Sequence, residues 1–510
     1  MSQQILGILL NTMENANSSN TFPIVPNIGV GQSIGYIAAA ALLATAYFIY
    51  DKLTVPKKLR HLPNVPFSKI GAAMIRHDAL DVTTQNLYIP KYKEHGLVVL
   101  VREGVWCVSL ANPDYAKKVL QRLEVFPKKP FLMEERDSRL IVRLLGASNI
   151  VFRNGDHWRR HRKIANPVFQ RSMPVKLFGT LTQKLFEMFE GEGRHIDAHL
   201  WMQRFTLDAI GLAGFGFDFN SIDAENSWAS TYNQIMAGAS EPLFAIFPIL
   251  EKHFLWAFPK RRELHKKMDR LDSLFMEVIE NKKRTIQREG AELSGDDNEK
   301  DLLTLMIEAN ETEKLGGLSD LELRHVQDKA RQEAINILGD APQDIIPTVE
   351  QTRDLKYMNQ VIKETMRMFP PASIVALRRT TTDIDLGQYY IPKDTNVVLD
   401  IYAMHHNPNN WPDPERFDPE RFVDDNEMGA KAGAGVGANY SWLAFGNGAR
   451  QCIGMNFALA EQRVLLSMLV RKYELSVPAD SIHRDGLKLD PNPSMVMTPL
   501  KFYIDMVPRY

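Results

Sequence analysis

The segment Phe445-Gly446-Asn447-Gly448-Ala449-Arg450-Gln451-Cys452-Ile453-Gly454 holds one of only two cysteines in 510 residues, the other being Cys107. A thiolate that ligates iron needs a backbone able to approach a flat macrocycle closely and to aim amides at the sulfur. Gly446, Gly448 and Gly454 allow that approach, because glycine accepts dihedrals closed to other residues. Amide donors around a metal-bound sulfur tune its electron density. Arg450, two residues before the cysteine, is placed to meet a carboxylate on the bound group. The apolar-rich run Phe457–Val470 reads as a helix whose N-terminal end favours the thiolate form. Read alone, a lone cysteine in a glycine-rich turn is an inert buried one. A phenylalanine, three glycines and an arginine at these offsets weigh against that.

Glu364 and Arg367 are three apart, so they share a helix face and can bridge along it. By itself the pair is a weak signal, since helices are full of such pairs. Further along, Trp411–Phe422 reads WPDPERFDPERF, and before it lie Trp158-Arg159-Arg160-His161-Arg162 and Leu377-Arg378-Arg379. Together these segments resemble the cytochrome P450 family, nearest its microsomal eukaryotic members, over nearly everything after residue 50. The cysteine segment matches the FxxGxRxCxG signature, Glu364–Arg367 the ExxR pair, Trp411–Phe422 the aromatic-proline segment and Trp158–Arg162 the WxxxR helix. The resemblance implies a mainly α fold with small β-sheets and a haem b (iron protoporphyrin IX) whose axial ligand is Cys452. Phe445, Gly446, Arg450 and Gly454 would cradle that haem, while Trp158, Arg162 and Arg378 would hold its propionates. It also implies that an arginine of the aromatic-proline segment joins Glu364 and Arg367 in a structural triad. The register of Trp411, Pro414 and Phe417 selects Arg421 rather than Arg416.

Composition limits the alternatives. Lys+Arg is 61 against 62 for Asp+Glu, so nothing suggests a nucleic-acid partner. Two cysteines exclude a disulfide framework, and no paired Cys/His cluster suggests structural zinc. Residues 34–50 (IGYIAAAALLATAYFIY) are apolar or weakly polar throughout. Spanning a bilayer takes about 17 to 25 residues, so this segment is just long enough for an anchor. A secretory signal would carry its bases before the apolar run. Here Lys52, Lys57, Lys58 and Arg60 follow it, which puts the later domain on the cytoplasmic side. The expected organisation is a short non-cytosolic tail (1–33), an anchor (34–50), a basic proline-containing linker (51–66) and one haem domain (67–510). Leu97–Val101 and Trp106–Leu110 read as strands, and long amphipathic helices dominate from Trp158 to Phe369. Glu289–Asp301 and Gly429–Ala438 read as loops.

One family element is missing from the text. Relatives carry a long helix over the distal haem face with an (A/G)Gx(D/E)T(T/S) segment that manages oxygen and protons. Leu318–Leu323 resembles its opening, and Ser319 with Glu322 forms a capping box. Arg324-His325 then runs straight into Val326–Glu333, which resembles the start of the next helix. A helix of roughly 30 residues, about 45 Å long, would be gone. About a dozen buried apolar side chains would go with it, at roughly 1.5–3 kcal/mol each. No distal threonine is therefore available as a catalytic residue.

The resemblance implies a haem-thiolate monooxygenase that inserts one oxygen atom of O2 into a lipophilic small molecule. A flavoprotein NADPH–cytochrome P450 reductase would supply the electrons, at the endoplasmic reticulum membrane. Arg159, Arg160 and Lys163 read equally as a docking face for it or as an ordinary solvated helix face. Leu243, Phe244, Phe247, Leu255, Trp256, Ile374 and Val375 read as pocket lining or as core. Two alternatives stand beside this reading. One is a reductase-independent haem-thiolate isomerase or dehydratase; the other is an impaired haem-binding member lacking the distal helix.

Overall fold

The computed structural model describes residues 53–510 apart from 103, 130–138, 147–148, 170–172, 224–227, 240, 242, 245–246, 290–319, 424–439, 485 and 491–495, with only scattered positions between 39 and 50 before them. Most of the expected anchor, and the expected loops at 290–301 and 429–438, lie outside the described residues. No helix among the described residues is long and apolar enough to cross a membrane.

The chain divides into residues 1–56 and 57–510. The second of these units contains the expected linker residues 57–66 together with 67–510. Pro56, Pro63 and Pro66 bar a continuing helix. The chain between them lies along the first strand, with Val65 N donating to Val99 O (3.0 Å) and Val99 N to Pro63 O (2.7 Å). Leu59, Leu62 and Val65 are buried there, and Lys58 Nζ donates to the carbonyls of Lys393 (3.1 Å) and Asp394 (2.8 Å).

Two runs rich in β-branched residues form strands β1 (Leu97–Arg102) and β2 (Val105–Leu110), paired antiparallel. The other strands are β3 (His195–Asp197), β4 (Ile374–Arg379), β5 (Ile384–Asp385), β6 (Tyr390–Ile391), β7 (Asn396–Asp400), β8 (Tyr473–Ser476) and β9 (Tyr503–Pro508). The largest sheet has the order β1-β2-β7-β4, with β2 parallel to β7 and β7 antiparallel to β4. β3, β9 and β8 make a second sheet, and β5 pairs with β6.

Helices that position the site are α1 (Leu140–Leu145), α2 (Gly155–Phe169), α3 (Val175–Glu192), α4 (Ala198–Ile210), α5 (Trp228–Ala239), α6 (Pro248–His253), α7 (Pro259–Glu289), α8 (Asp320–Leu338), α9 (Lys356–Met368), α10 (Ile401–His406) and α11 (Met455–Lys472). The last is apolar on most faces and is buried accordingly. On one side Phe457, Val464 and Met468 meet Phe178, Phe186 and Phe189 of α3 and Trp201 and Phe205 of α4. On the other, Ala458, Leu459 and Val470 meet Val326, Ala330 and Ala334 of α8 and Met358, Ile362 and Met366 of α9. Two cores thus clamp the helix that starts three residues after Cys452.

Helix α8 is continuous through His325–Val326. It joins the segment read as the opening of the distal helix to the one read as the start of the next. Ser319, the expected cap, lies outside the described residues. From Val326 onward the helix is firmly held. Gln327 exchanges hydrogen bonds with Leu475 (2.9 and 2.8 Å), Arg331 donates to Val470 O (2.7 Å), and Glu333 accepts from the amides of Tyr357 and Met358 (2.7 and 2.8 Å).

A buried charge knot ties α1, α6 and α7. Glu251 Oε1 accepts from Leu140 N (2.9 Å), Arg261 Nε (2.8 Å) and His265 Nε2 (2.8 Å). Arg143 reaches Asp269 and Asp272 beside it (2.7 and 2.8 Å). Burial alone would raise the Glu251 carboxyl, but these hydrogen bonds outweigh it and hold it at about 2. The ion pair therefore stabilises the fold above the ordinary carboxylate range and is lost as pH falls from about 4.5 toward 2. Glu251→Gln is expected to cost about 3 kcal/mol near neutrality. The gap in melting temperature from wild type should narrow between pH 6 and pH 3.5. A gap that stays constant would overturn this account.

Candidate functional site

Cys452 ends a tight loop before α11. Its amide donates to Phe445 O (2.8 Å), Gly446 N donates to Leu443 O (2.8 Å) and Gln451 N to Gly448 O (3.0 Å). Gly446 and Gly448 have φ of 68° and 67°, where a side chain would be strained. Gly454, with φ −85°, instead precedes the first residue of α11. Phe445 is buried and packs edge-on to Trp442, their centroids 6.0 Å apart.

The pair expected on one helix face is fully buried on α9. Arg367 grips Glu364 through Nε (2.7 Å) and Nη2 (2.9 Å). Glu364 also accepts from Asp418 N (2.8 Å), and Arg421 Nε stands 3.4 Å away as an ion pair without hydrogen-bond geometry. Arg416 contributes only its carbonyl, to Arg367 Nη2 (3.3 Å). The remaining Arg367 nitrogen donates to His405 O (2.8 Å). His405 Nδ1 donates to Arg367 O (2.9 Å), and its Nε2 accepts from Leu443 N (2.8 Å). Burial, with Arg367 nearby, holds this imidazole well below its usual range, so it is neutral. An uncharged ring thus links the arginine to the segment entering the cysteine loop. The sequence reading missed His405, because a histidine in Tyr402-Ala403-Met404-His405-His406 carries no spacing signal.

Four cationic groups converge near the loop. Arg450 lies 3.9 Å over the Trp158 ring and donates through Nη2 to Arg153 O (2.8 Å), while its Nε and Nη1 are buried without partners. Arg378, on β4, donates through Nη1 to Phe126 O (2.8 Å) and leaves Nε and Nη2 buried and unpaired. Burial pulls Arg378 down to about 10, and burial with the neighbouring arginines does the same to Arg450. Arg162 is lowered by burial and raised by Cys452, which places it beside the sulfur's field. The fourth cation, Lys128, was not singled out in the sequence. Its segment, Phe126-Pro127-Lys128-Lys129-Pro130, marks an extended stretch, and residue 128 bridges to Arg378. Among the described residues no carboxylate pairs with any of the four.

The cytochrome P450 family profile matches residues 92–325 and 323–506. The chain belongs to the cytochrome P450 family. Similar curated proteins include Protein LUTEIN DEFICIENT 5, chloroplastic, of Arabidopsis thaliana, 24% identical over 81% of this chain and 72% of that protein. Cytochrome P450 734A6 of Oryza sativa subsp. japonica is 28% identical over 74% of each. Cytokinin hydroxylase of Arabidopsis thaliana is 26% identical over 81% of this chain and 83% of that one. The crystal structure of the cytochrome P450DA heme domain superposes with a TM-score of 0.69 at 24% identity, covering 88% of this chain and 97% of that one, which shows the fold.

P450 members in general are haem-thiolate monooxygenases, and the residues here fit that cofactor. A dianionic macrocycle would satisfy the unpaired N–H groups of Arg378 and Arg450 and neutralise a cluster that is otherwise costly to bury. Other expectations are corrected by exposure. Leu243, Phe247 and Trp256 lie on the outer surface, 40%, 54% and 72% exposed, and so line no interior pocket. Phe244 is buried beneath Arg261, 4.3 Å from its ring. Arg159, Arg160 and Lys163 are exposed on α2, and Arg159 pairs with Asp156 (2.6 Å).

Proposed function

We propose that the chain descends from a monooxygenase inserting one atom of O2 into a lipophilic small molecule with NADPH-derived electrons. The carrying observation is a cation cluster with no carboxylate partner among the described residues, packed around the loop that presents Cys452. Bound there, haem would supply the oxygen-activating redox chemistry, with the Cys452 thiolate as an electron-rich ligand. Cys452 would hold the iron from the side of α11, whose N-terminal end favours an anionic sulfur. Arg162, Arg378, Arg450 and Lys128 would orient the macrocycle through its carboxylates. Trp158 holds the Arg450 guanidinium in place by stacking. Arg159, Arg160 and Lys163 offer a basic exposed face suited to an acidic flavoprotein reductase.

A membrane setting is supported by the uncharged run 34–50 and by exposed Phe247, Ile249, Phe254 and Trp256 beside Lys252 and Lys260. Endoplasmic reticulum location with the domain facing the cytosol is the corresponding proposal.

A second reading is favoured by one observation. The family match falls in two pieces that meet at 323–325, where α8 fuses two segments. This supports the loss of a distal helical segment between His325 and Val326. The chain as written is then expected to take up haem but to couple NADPH oxidation poorly to a fatty-acid probe. Comparison with a form carrying a restored helix, in the presence of a flavoprotein reductase, tests it. Equal coupling in the two forms would refute the loss, and a transcript read across the junction would locate it.

A further inference from the structure

We propose that Lys128 takes up a proton when the carboxylates of haem enter the cation cluster, so that its contribution to cofactor loading weakens as pH rises above neutrality. This rests on the haem reading above. Lys128 is 8% exposed, and its backbone is held on both sides. Its amide donates to Asn154 Oδ1 (3.0 Å), and Asn154 Nδ2 donates back to its carbonyl (2.7 Å). The ammonium nitrogen donates to Val151 O at 2.6 Å. Three guanidiniums face it: Arg378 from β4, Arg162 from α2 and Arg450 from the cysteine loop. Asn154 and the Val151 carbonyl complete the polar surroundings among the described residues, and no carboxylate is present there.

A buried ammonium beside three like charges is the group that yields. Burial first, and the three arginines after it, lower Lys128 from 10.5 to about 7. The arginines stay protonated below pH 9, since even the lowered Arg378 and Arg450 hold at about 10. Lysine is therefore the one proton-exchanging member of the cluster near neutrality. Two incoming carboxylates reverse the balance and favour the charged amine. The sign follows. In the haem-free chain Lys128 is largely neutral above pH 7, in the complex it is charged, and binding must draw a proton from solvent. The contribution of Lys128 to affinity, read as the ratio of wild type to Lys128→Arg, then falls with rising pH, approaching about tenfold per unit well above pH 7.

The measurement is calorimetric titration of haemin into the full chain freed of haem, in two buffers of different ionisation enthalpy. Cys452 releases its own proton on ligating iron, but it does so equally in all variants and cancels in the difference. Wild type should take up about one proton more than Lys128→Arg at pH 8.5, and about 0.1 more at pH 6. Lys128→Met, which carries no exchangeable side-chain proton, should match Lys128→Arg and serves if the arginine does not fit. With haemin dimethyl ester, which has no carboxylates, the difference should vanish. Equal proton uptake by wild type and both variants, with haemin bound and a thiolate signature present, would sink the proposal and leave the haem reading intact. Haemin that binds without that signature would instead overturn the haem reading, and this proposal with it.

Discussion

Replacing Cys452 by serine is expected to abolish the thiolate signature in the reduced carbonyl spectrum. Serine preserves the size of the side chain and the loop's backbone hydrogen bonds, so Phe445 O still receives the amide of residue 452. Thermal unfolding of the haem-free protein should change by less than about 1 kcal/mol. What disappears is the soft anionic ligand, because an alcohol at this position stays protonated near neutral pH. The chain supplies its own control. Cys107 is buried in β2, with its Sγ 3.6 Å from Leu100 O, and Cys107→Ala should leave the signature unchanged. A persistent thiolate spectrum in Cys452→Ser, or its loss in Cys107→Ala alone, would disprove the assignment of the ligand.

The second large effect is expected from Arg367→Leu. Glu364 and Arg367 are both fully buried, and the bidentate grip is what makes the carboxylate tolerable there. Removing the guanidinium strands a buried charge, at about 3–5 kcal/mol. That is a large share of a typical stability of about 5–15 kcal/mol. The damage should reach the cysteine loop, since the arginine also holds His405, and His405 receives Leu443 N. The expected outcome is protein that melts several degrees lower and recovers haem poorly. Arg367→Lys keeps the charge but loses the planar fork, and should fall between the two. Joint replacement of Glu364 and Arg367 by apolar residues should be milder in melting temperature than Arg367→Leu, because no charge is stranded. A single variant as stable as wild type would show that the pair is not desolvated.

Much of the site was legible because its residues are local in sequence. The cysteine loop, its glycines and Arg450 lie within ten positions, and Glu364 with Arg367 lies within one helical turn. β1 and β2 announce themselves by runs of valine and leucine. Lys128 and His405 are different: each acquires its role from partners far along the chain, Arg378 and Leu443, and nothing in the neighbouring residues encodes that. The apolar residues around 243–256 illustrate another limit. Their character says that they avoid water, yet whether they face a cavity, the core or the outside depends on how α5, α6 and α7 are tied. Leu243, Phe247 and Trp256 face outward, while Phe244 among them is buried under Arg261. Residues 57–66 show the same limit, because prolines that stop a helix can equally hold a chain against an edge strand.

Helix α8 has a consequence for how such a chain can vary. Its described anchoring contacts begin at Val326, while Asp320–His325 simply prolongs the same spiral upstream. An α-helix can be lengthened or shortened at its first turns without rotating anything that follows. The junction is therefore a permissive seam: material spliced in or out just before Val326 leaves the lower half of the protein, with its sulfur ligand, in unaltered register. Two products of one gene, alike from that valine onward and unlike before it, could share the same foundation beneath the iron.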